Sequence, residues 1–280
     1  MKKIISASRR TDLPAFFPEW LAAALRAGRA EFIGPSGRGT SVSLVPAEVH
    51  SIVLWSKDFS GLLAGRHGLR ELLGRYDQLC FLFTITGLGG TFIEPGVLPP
   101  HEALSQLPGL VRLAGDARRV SIRFDPVIFW REGEQLQSNL DFFDRVAREA
   151  AAFGIRDMRF SFAQWYRKAV RRALARGFDF VDPPVEEKRA AAERLAERAG
   201  ALGLNLYACS QDILAGVRGV KPSACIDGAR LQGLHPRGEP ASRAKDSTQR
   251  PECRCTRSVD IGSYTRVCPH ACLYCYANPG

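Results

Sequence analysis

The segment Leu79-Cys80-Phe81-Leu82-Phe83-Thr84-Ile85-Thr86, closed by Gly87, has almost no polar positions along its length. A strand that faces water on one side alternates apolar and polar residues; a continuous apolar run is a strand covered on both faces, as in a parallel sheet. Shorter runs repeat the theme at Ile4–Ser8, Ser51–Trp55, Val120–Phe124, Met158–Phe162 and Leu204–Ala208. Helical patterns lie between them: Glu19–Arg26, a segment carrying Leu62, Leu69, Leu72 and Leu73, His101–Ala114, Asn139–Phe153 with Ser138 as N-cap, and Gln164–Arg176. Another runs to about Leu202 behind Asp182-Pro183-Pro184, an aspartate cap with proline in the first turn. Such alternation predicts an α/β fold of six or more parallel strands, a TIM-like (β/α) barrel first and a doubly wound open sheet second. Beyond about residue 215 the rhythm stops. Residues 216–280 read as an irregular, cysteine-rich segment packed on the mouth of a barrel formed by 1–215.

In parallel α/β folds ligands bind at the carboxyl ends of the strands, and those ends are polar here. Ser8, Arg9, Arg10, Thr11 and Asp12 follow the first strand, and Lys57 and Asp58 the second. Thr84 and Thr86 lie on the third, Arg123 and Asp125 on the fourth, Ser161 and Gln164 at the fifth. Arg9, Arg10 and Lys57 suit a carboxylate or phosphate, and Asp12 and Asp125 an amine or a ribose hydroxyl; ordinary ion pairing is the competing explanation for each. Gly87-Leu88-Gly89-Gly90 permits close backbone approach to a ligand, yet no dinucleotide or P-loop pattern surrounds it.

No apolar run approaches the roughly 20 residues that span a bilayer, and MKKIISASRR lacks the apolar core of a secretory signal. These features lead us to expect a cytoplasmic protein with no membrane partner. In a reducing compartment eight cysteines are more readily metal ligands than disulfides. The net charge of +10 comes from arginines spread along the chain. It suits phosphate-bearing partners, including nucleic acid, or reflects an arginine-rich composition.

Cys268, Cys272 and Cys275 stand in a C-x3-C-x2-C spacing with Tyr274 before the last. Three thiolates this close can hold a 4Fe-4S cluster with one iron open to a substrate or cofactor; a zinc knuckle or a reduced thiol cluster is the alternative. Cys80, inside an apolar strand, reads as a small core residue. Cys209, Cys225, Cys253 and Cys255 supply the four ligands of a second iron–sulfur cluster or a tetrahedral zinc site. Of the five histidines only His270 falls within the cysteine motif, as a donor to a cluster sulfide or as loop filler.

The cysteine spacing resembles the signature of the radical S-adenosylmethionine enzymes; with Tyr274, Tyr276 and Asn278 around the last cysteine it is most similar to the branch that includes spore photoproduct lyase. SASRRTDLPAFFPEWL, VLWSKD, RFDPV, RFSFAQWY, CSQDIL, ACIDG and CRCTRSVDIGSYTRVCPHACLYCYAN together resemble a bacterial and archaeal domain-of-unknown-function family. Its C-terminal cysteine cluster is similar to the radical enzymes' iron–sulfur site. The resemblance implies that Cys268, Cys272 and Cys275 hold the cluster and that Tyr274 lies near the adenine of S-adenosylmethionine. It further implies reductive cleavage of that cofactor to start radical chemistry on a small-molecule or nucleotide substrate. An electron donor such as flavodoxin or ferredoxin would then be needed. The motif closes this chain instead of following a first strand, and no Gly-Gly-Glu-like segment is evident. A circularly permuted barrel would restore the geometry by bringing Ser258–Arg266 beside the N-terminal strand and Ser8–Asp12 near the missing segment's place. The readings from other classes are a metal-stabilised module that binds nucleic acid or protein, and an iron–sulfur electron carrier or sensor.

Overall fold

The computed structural model describes residues 1–34, 37–277 and 279. The six expected strands form as β1 (Lys3–Ala7), β2 (Val49–Ser56), β3 (Leu79–Thr84), β4 (Val120–Val127), β5 (Asp157–Phe162) and β6 (Asn205–Ala208). Two more, β7 (Val220–Pro222) and β8 (Val259–Asp260), complete an eight-stranded sheet in the order β7-β6-β5-β4-β3-β2-β1-β8. Every pairing in it is parallel. The first seven strands advance in one direction, as in a barrel, without the reversal at the centre of a doubly wound sheet. It is the order of an eight-stranded barrel, but among the described residues no ladder joins β7 to β8.

The segment from 216 onward is therefore less irregular than expected. It supplies both edge strands and a helix (Gly228–Leu234). Strands of two and three residues are too short to show any hydropathy period, which hides them in the sequence. The tail also covers one face of the sheet. Ile226, Leu231, Ala241, Cys253 and Cys255 pack on Ile4, Val53, Trp55, Cys80 and Leu82 of β1, β2 and β3. Alternate residues Ile5, Leu54, Phe81, Phe83, Ile122, Phe124 and Phe160 point the other way into the main core. There they meet the helices α1 (Pro18–Ala27), α2 (Leu107–Ala114), α3 (Phe143–Ala152) and, beyond the helix α4 (Arg167–Ala175), α5 (Val185–Ala201). Both faces of β3 are thus buried, as its unbroken run requires.

Two helix starts differ from expectation. The 139–153 segment opens with a 3₁₀ turn (Leu140–Phe142) before α3, so Ser138 caps no α-helix. Asp182 accepts from Lys188 Nζ and leaves the start of α5 without a side-chain cap. Among the described residues no helix is long and apolar enough to cross a membrane.

Candidate functional site

Along β1, β2 and β3 the residues facing the tail run from apolar to polar in the chain direction: Ile4-Ser6-Ser8, Val53-Trp55-Lys57, Leu82-Thr84. Where they turn polar, at the carboxyl ends of the strands, lies a cavity of about 260 Å³. Every residue expected to bind a cofactor or metal lines it: Ser8, Arg9, Arg10, Asp12, Lys57, Arg123, Asp125, Tyr274 and all the cysteines except Cys80. Thr84, Ser161 and Gln164 line it too. Asp58 and Thr86 do not. Asp58 instead accepts from the Ser60 amide at 2.7 Å and from Gln106 at 3.0 Å, and Thr86 Oγ1 from the Leu88 amide at 3.3 Å.

Cys268, Cys272 and Cys275 lie on the loop that follows β8. Since β8 pairs with β1 (Ile5 with Val259, Ser6 with Asp260), the Ser258–Arg266 stretch does run beside the N-terminal strand. The loop is clamped from three sides. The Leu273 amide donates to Ile93 O at 3.0 Å and the Gly96 amide to His270 O at 3.1 Å. Arg172 of α4 donates to the carbonyls of Leu273 (2.8 Å) and Cys275 (3.1 Å). His270 places Nδ1 3.0 Å from Gly96 O and Nε2 2.8 Å from Asp12 Oδ2, so it ties the loop down and has no ring nitrogen free for a sulfide. Burial pushes the Cys268 thiol up to about 11 and those of Cys272 and Cys275 upward as well, Lys57 opposing this at the last two. A metal bound here would displace protons from these thiols.

Glycine is required at 96. A Cβ there would stand 2.1 Å from the Pro269 carbonyl oxygen. Gly96→Ala is expected to cost about 1–3 kcal/mol by overpacking and to displace the cysteine loop; a thermal melt together with the iron content of the purified protein checks both. The glycine run nearby serves the protein itself. A Cβ on Gly89 would lie 1.9 Å from Leu98 O, and one on Gly87 2.5 Å from the Phe142 ring. Their close approaches are to neighbouring chain.

The sequence reading missed Glu94, which is fully buried and is the one charged residue between Gly87 and Pro99. It accepts from Lys57 Nζ at 2.8 Å and from the Tyr274 hydroxyl. Lys57 also lies 5.8 Å from the Tyr274 ring centre. Burial, the largest influence, lowers the Lys57 pKa, but Glu94, Cys272 and Asp125 together outweigh it and hold the ammonium above its usual range. A lone acid in an apolar, Gly/Pro-rich loop was the available signal.

The two aspartates line the cavity and are both engaged within the protein. Asp12 accepts from Ser56 Oγ (2.6 Å), Ala15 N (3.1 Å), Lys57 N (2.8 Å) and His270 Nε2. Its lone pairs are spent on joining three loops, which leaves little for an amine or a ribose. Asp125 is held by Arg123 and Ser161. Arg10 is likewise engaged, donating to Gly262 O at 2.9 Å. Arg9 donates to Ser258 Oγ at 3.0 Å and sits 3.5 Å from Asp246. The guanidiniums of Arg9 and Arg123 lie 5.5 and 5.0 Å from the ring centre of Trp55, a second residue the sequence reading missed. Arg9 Nε, Arg123 Nε, Trp55 Nε1, Thr11 Oγ1 and Ser210 Oγ are buried without a hydrogen-bond partner, and all five residues line the cavity. These are the donors left for an anionic or polar ligand.

Across the cavity stand the other cysteines. Cys209 Sγ and Cys225 Sγ are 3.6 Å apart, and Cys255 Sγ accepts from the Ile226 amide at 3.4 Å. Cys225 also interacts electrostatically with Cys255, and Cys255 with Cys253. Within this group, Cys225 is pulled well below the usual thiol range and Cys253 to about 6, while Cys209 and Cys255 are raised. Among the described residues no three Cys, His, Asp or Glu side chains already surround a common point as metal ligands do. Asn278 of the motif lies outside the described residues.

A family model described as a domain of unknown function, DUF1848, matches residues 4–277. No curated protein matches the chain. Among solved structures it is similar to a D-hydantoinase from Bacillus sp. AR9 (16% identity, TM-score 0.32), covering 62% of this chain and 39% of that one. Another D-hydantoinase shows 13% identity and a TM-score of 0.34, covering 84% and 44%. The dihydropyrimidinase of Brevibacillus agri NCHU1002 shows 15% and 0.35, covering 77% and 44%. The chain thus spans less than half the length of each.

Proposed function

The chain belongs to the family of the domain of unknown function DUF1848, and on the geometry of its cavity we propose that it is an iron–sulfur enzyme of the radical S-adenosylmethionine type. The observation that carries this reading is the position of Cys268, Cys272 and Cys275. They lie on a clamped loop at the carboxyl end of a parallel sheet, beside β1 and facing a polar cavity. The donor set fits a three-thiolate cluster. The three cysteines fall within eight residues, and the one imidazole among them, His270, is committed to Asp12 and Gly96. The chemistry such a 4Fe-4S cluster supplies when bound is the reductive cleavage of S-adenosylmethionine, which its open iron makes possible.

The chain's own residues have distinct tasks in this reading. Arg172, Gly96, Ile93 and His270 fix the loop. Tyr274 is held by Glu94 and presents its ring to the cavity next to Cys275. Arg9 and Arg123, with unpartnered nitrogens in the cavity wall, receive a carboxylate or phosphate. The substrate is accordingly a small molecule or nucleotide bearing an anionic group, and reducing equivalents come from a donor such as flavodoxin or ferredoxin. The aromatic and aliphatic packing around the loop limits water at the reacting centre.

The test is anaerobic. Protein purified without oxygen is expected to carry about four irons or more per chain. Its reduced EPR signal should change on adding S-adenosylmethionine, and 5′-deoxyadenosine should accumulate with dithionite. A signal indifferent to S-adenosylmethionine, with no 5′-deoxyadenosine, refutes the reading.

A further inference from the structure

We propose that Cys209, Cys225, Cys253 and Cys255 form a second, tetrathiolate metal centre that ties the β7 edge of the sheet to the β8 side. It is separate from the three-cysteine loop and does not rest on that loop's assignment. Cys209 follows β6, Cys225 follows β7, and Cys253 and Cys255 precede β8. The chain thus brings four thiols from three segments to the place where the sheet has no ladder between its edges. Cys209 and Cys225 touch, and Cys255 and Cys253 line the same cavity beside them, with Cys255 Sγ accepting from the amide of Ile226 next to Cys225. The 3.6 Å between Cys209 and Cys225 is contact between sulfurs and far longer than a disulfide of about 2.05 Å. The four close into a tetrahedron when Cys209 and Cys253 turn toward a shared centre.

Charge supplies the independent argument. Arg159 is 3% exposed, and among the described residues it has no carboxylate partner. Its guanidinium meets Ser121 Oγ, the Tyr207 ring at 5.3 Å from the ring centre and, at 3.4 Å, Ala224 O, the carbonyl next to Cys225. Arg9, which also faces Asp246 at 3.5 Å, and Arg123, which also pairs with Asp125, add positive charge toward the same thiols. The Nε atoms of Arg9, Arg123 and Arg159 are all buried without a partner. A buried cation is costly unless it is paired. Four thiolates on one divalent ion, or on an iron–sulfur cube, carry a net negative charge that meets this cationic ring. Zinc and iron–sulfur share the donor chemistry, and metal analysis distinguishes them.

The experiment starts from Cys268→Ser/Cys272→Ser/Cys275→Ser, so the fate of the radical reading does not enter. Purified without oxygen, this variant is expected to retain about one zinc or about four irons per chain by elemental analysis; either metal supports the centre. Adding Cys253→Ser/Cys255→Ser is expected to lower that content at least roughly tenfold. As a control that needs no folding of a variant, the unaltered chain is alkylated and mapped by mass spectrometry. The four thiols should resist alkylation until a chelator strips the metal. Background metal in the triad-less variant, unchanged metal after the second pair of substitutions, or a disulfide between any two of the four would overturn the proposal.

Discussion

Cys272→Ser is expected to lower the iron content by about four per chain and to cut 5′-deoxyadenosine formation by roughly a hundredfold or more. Only three protein ligands hold the proposed cluster, so losing one leaves two, and a serine hydroxyl is a poor thiolate substitute for iron. Cys272 is also the most buried of the three, and Lys57 eases its ionisation. Cys80→Ala is the control. Its thiol sits among Val53, Leu82 and Ile226, where burial holds its pKa at about 12, and its replacement should leave iron unchanged. Iron analysis and chromatography of the reaction products decide the matter. Full iron content in Cys272→Ser would remove the loop from consideration as a cluster site.

The second large effect is at Lys57. With Lys57→Met, the fully buried Glu94 loses its cation. Removing one partner of a buried pair costs about 3–5 kcal/mol. The double variant Lys57→Met/Glu94→Gln, which removes both charges, should regain much of that loss. Urea unfolding of the two variants and of Glu94→Gln alone gives the coupling. A loss below about 1 kcal/mol in Lys57→Met would mean that the pair is effectively solvated. Because the Lys57 pKa is raised, the lysine's contribution is fully present below the ammonium's unfolded value. It fades only as the pH rises through the raised folded value, in the alkaline range.

How far the sequence announces this structure depends on length of signal. β3 is legible because two buried faces demand an unbroken apolar run, and the strand-end polar residues are legible because a parallel sheet sends all those ends one way. β7 and β8 are not, since Val220-Lys221-Pro222 and Val259-Asp260 are held by pairing with neighbours, not by a pattern of their own. A hairpin also pairs Arg29–Ile33 with Gly39–Ser43. In the site, residue type pointed correctly to the cavity wall but not to occupancy. Asp12 and a ligand-binding aspartate look alike until the donors around Asp12 are placed. Glu94 went unnoticed because its partners, Lys57 and Tyr274, are distant in sequence.

Trp55 gives the cavity an optical reporter of its own. Its indole lies in the wall of the chamber against two guanidiniums, so a molecule that displaces either cation alters the field on the ring and shifts its emission. The other tryptophans face different surroundings: Trp20 lies under Arg266, Trp165 stacks on Phe180, and Trp130 packs near Phe178. With those three replaced by phenylalanine, the fluorescence of a single residue follows what enters the chamber, and an iron–sulfur chromophore within it would extinguish that light.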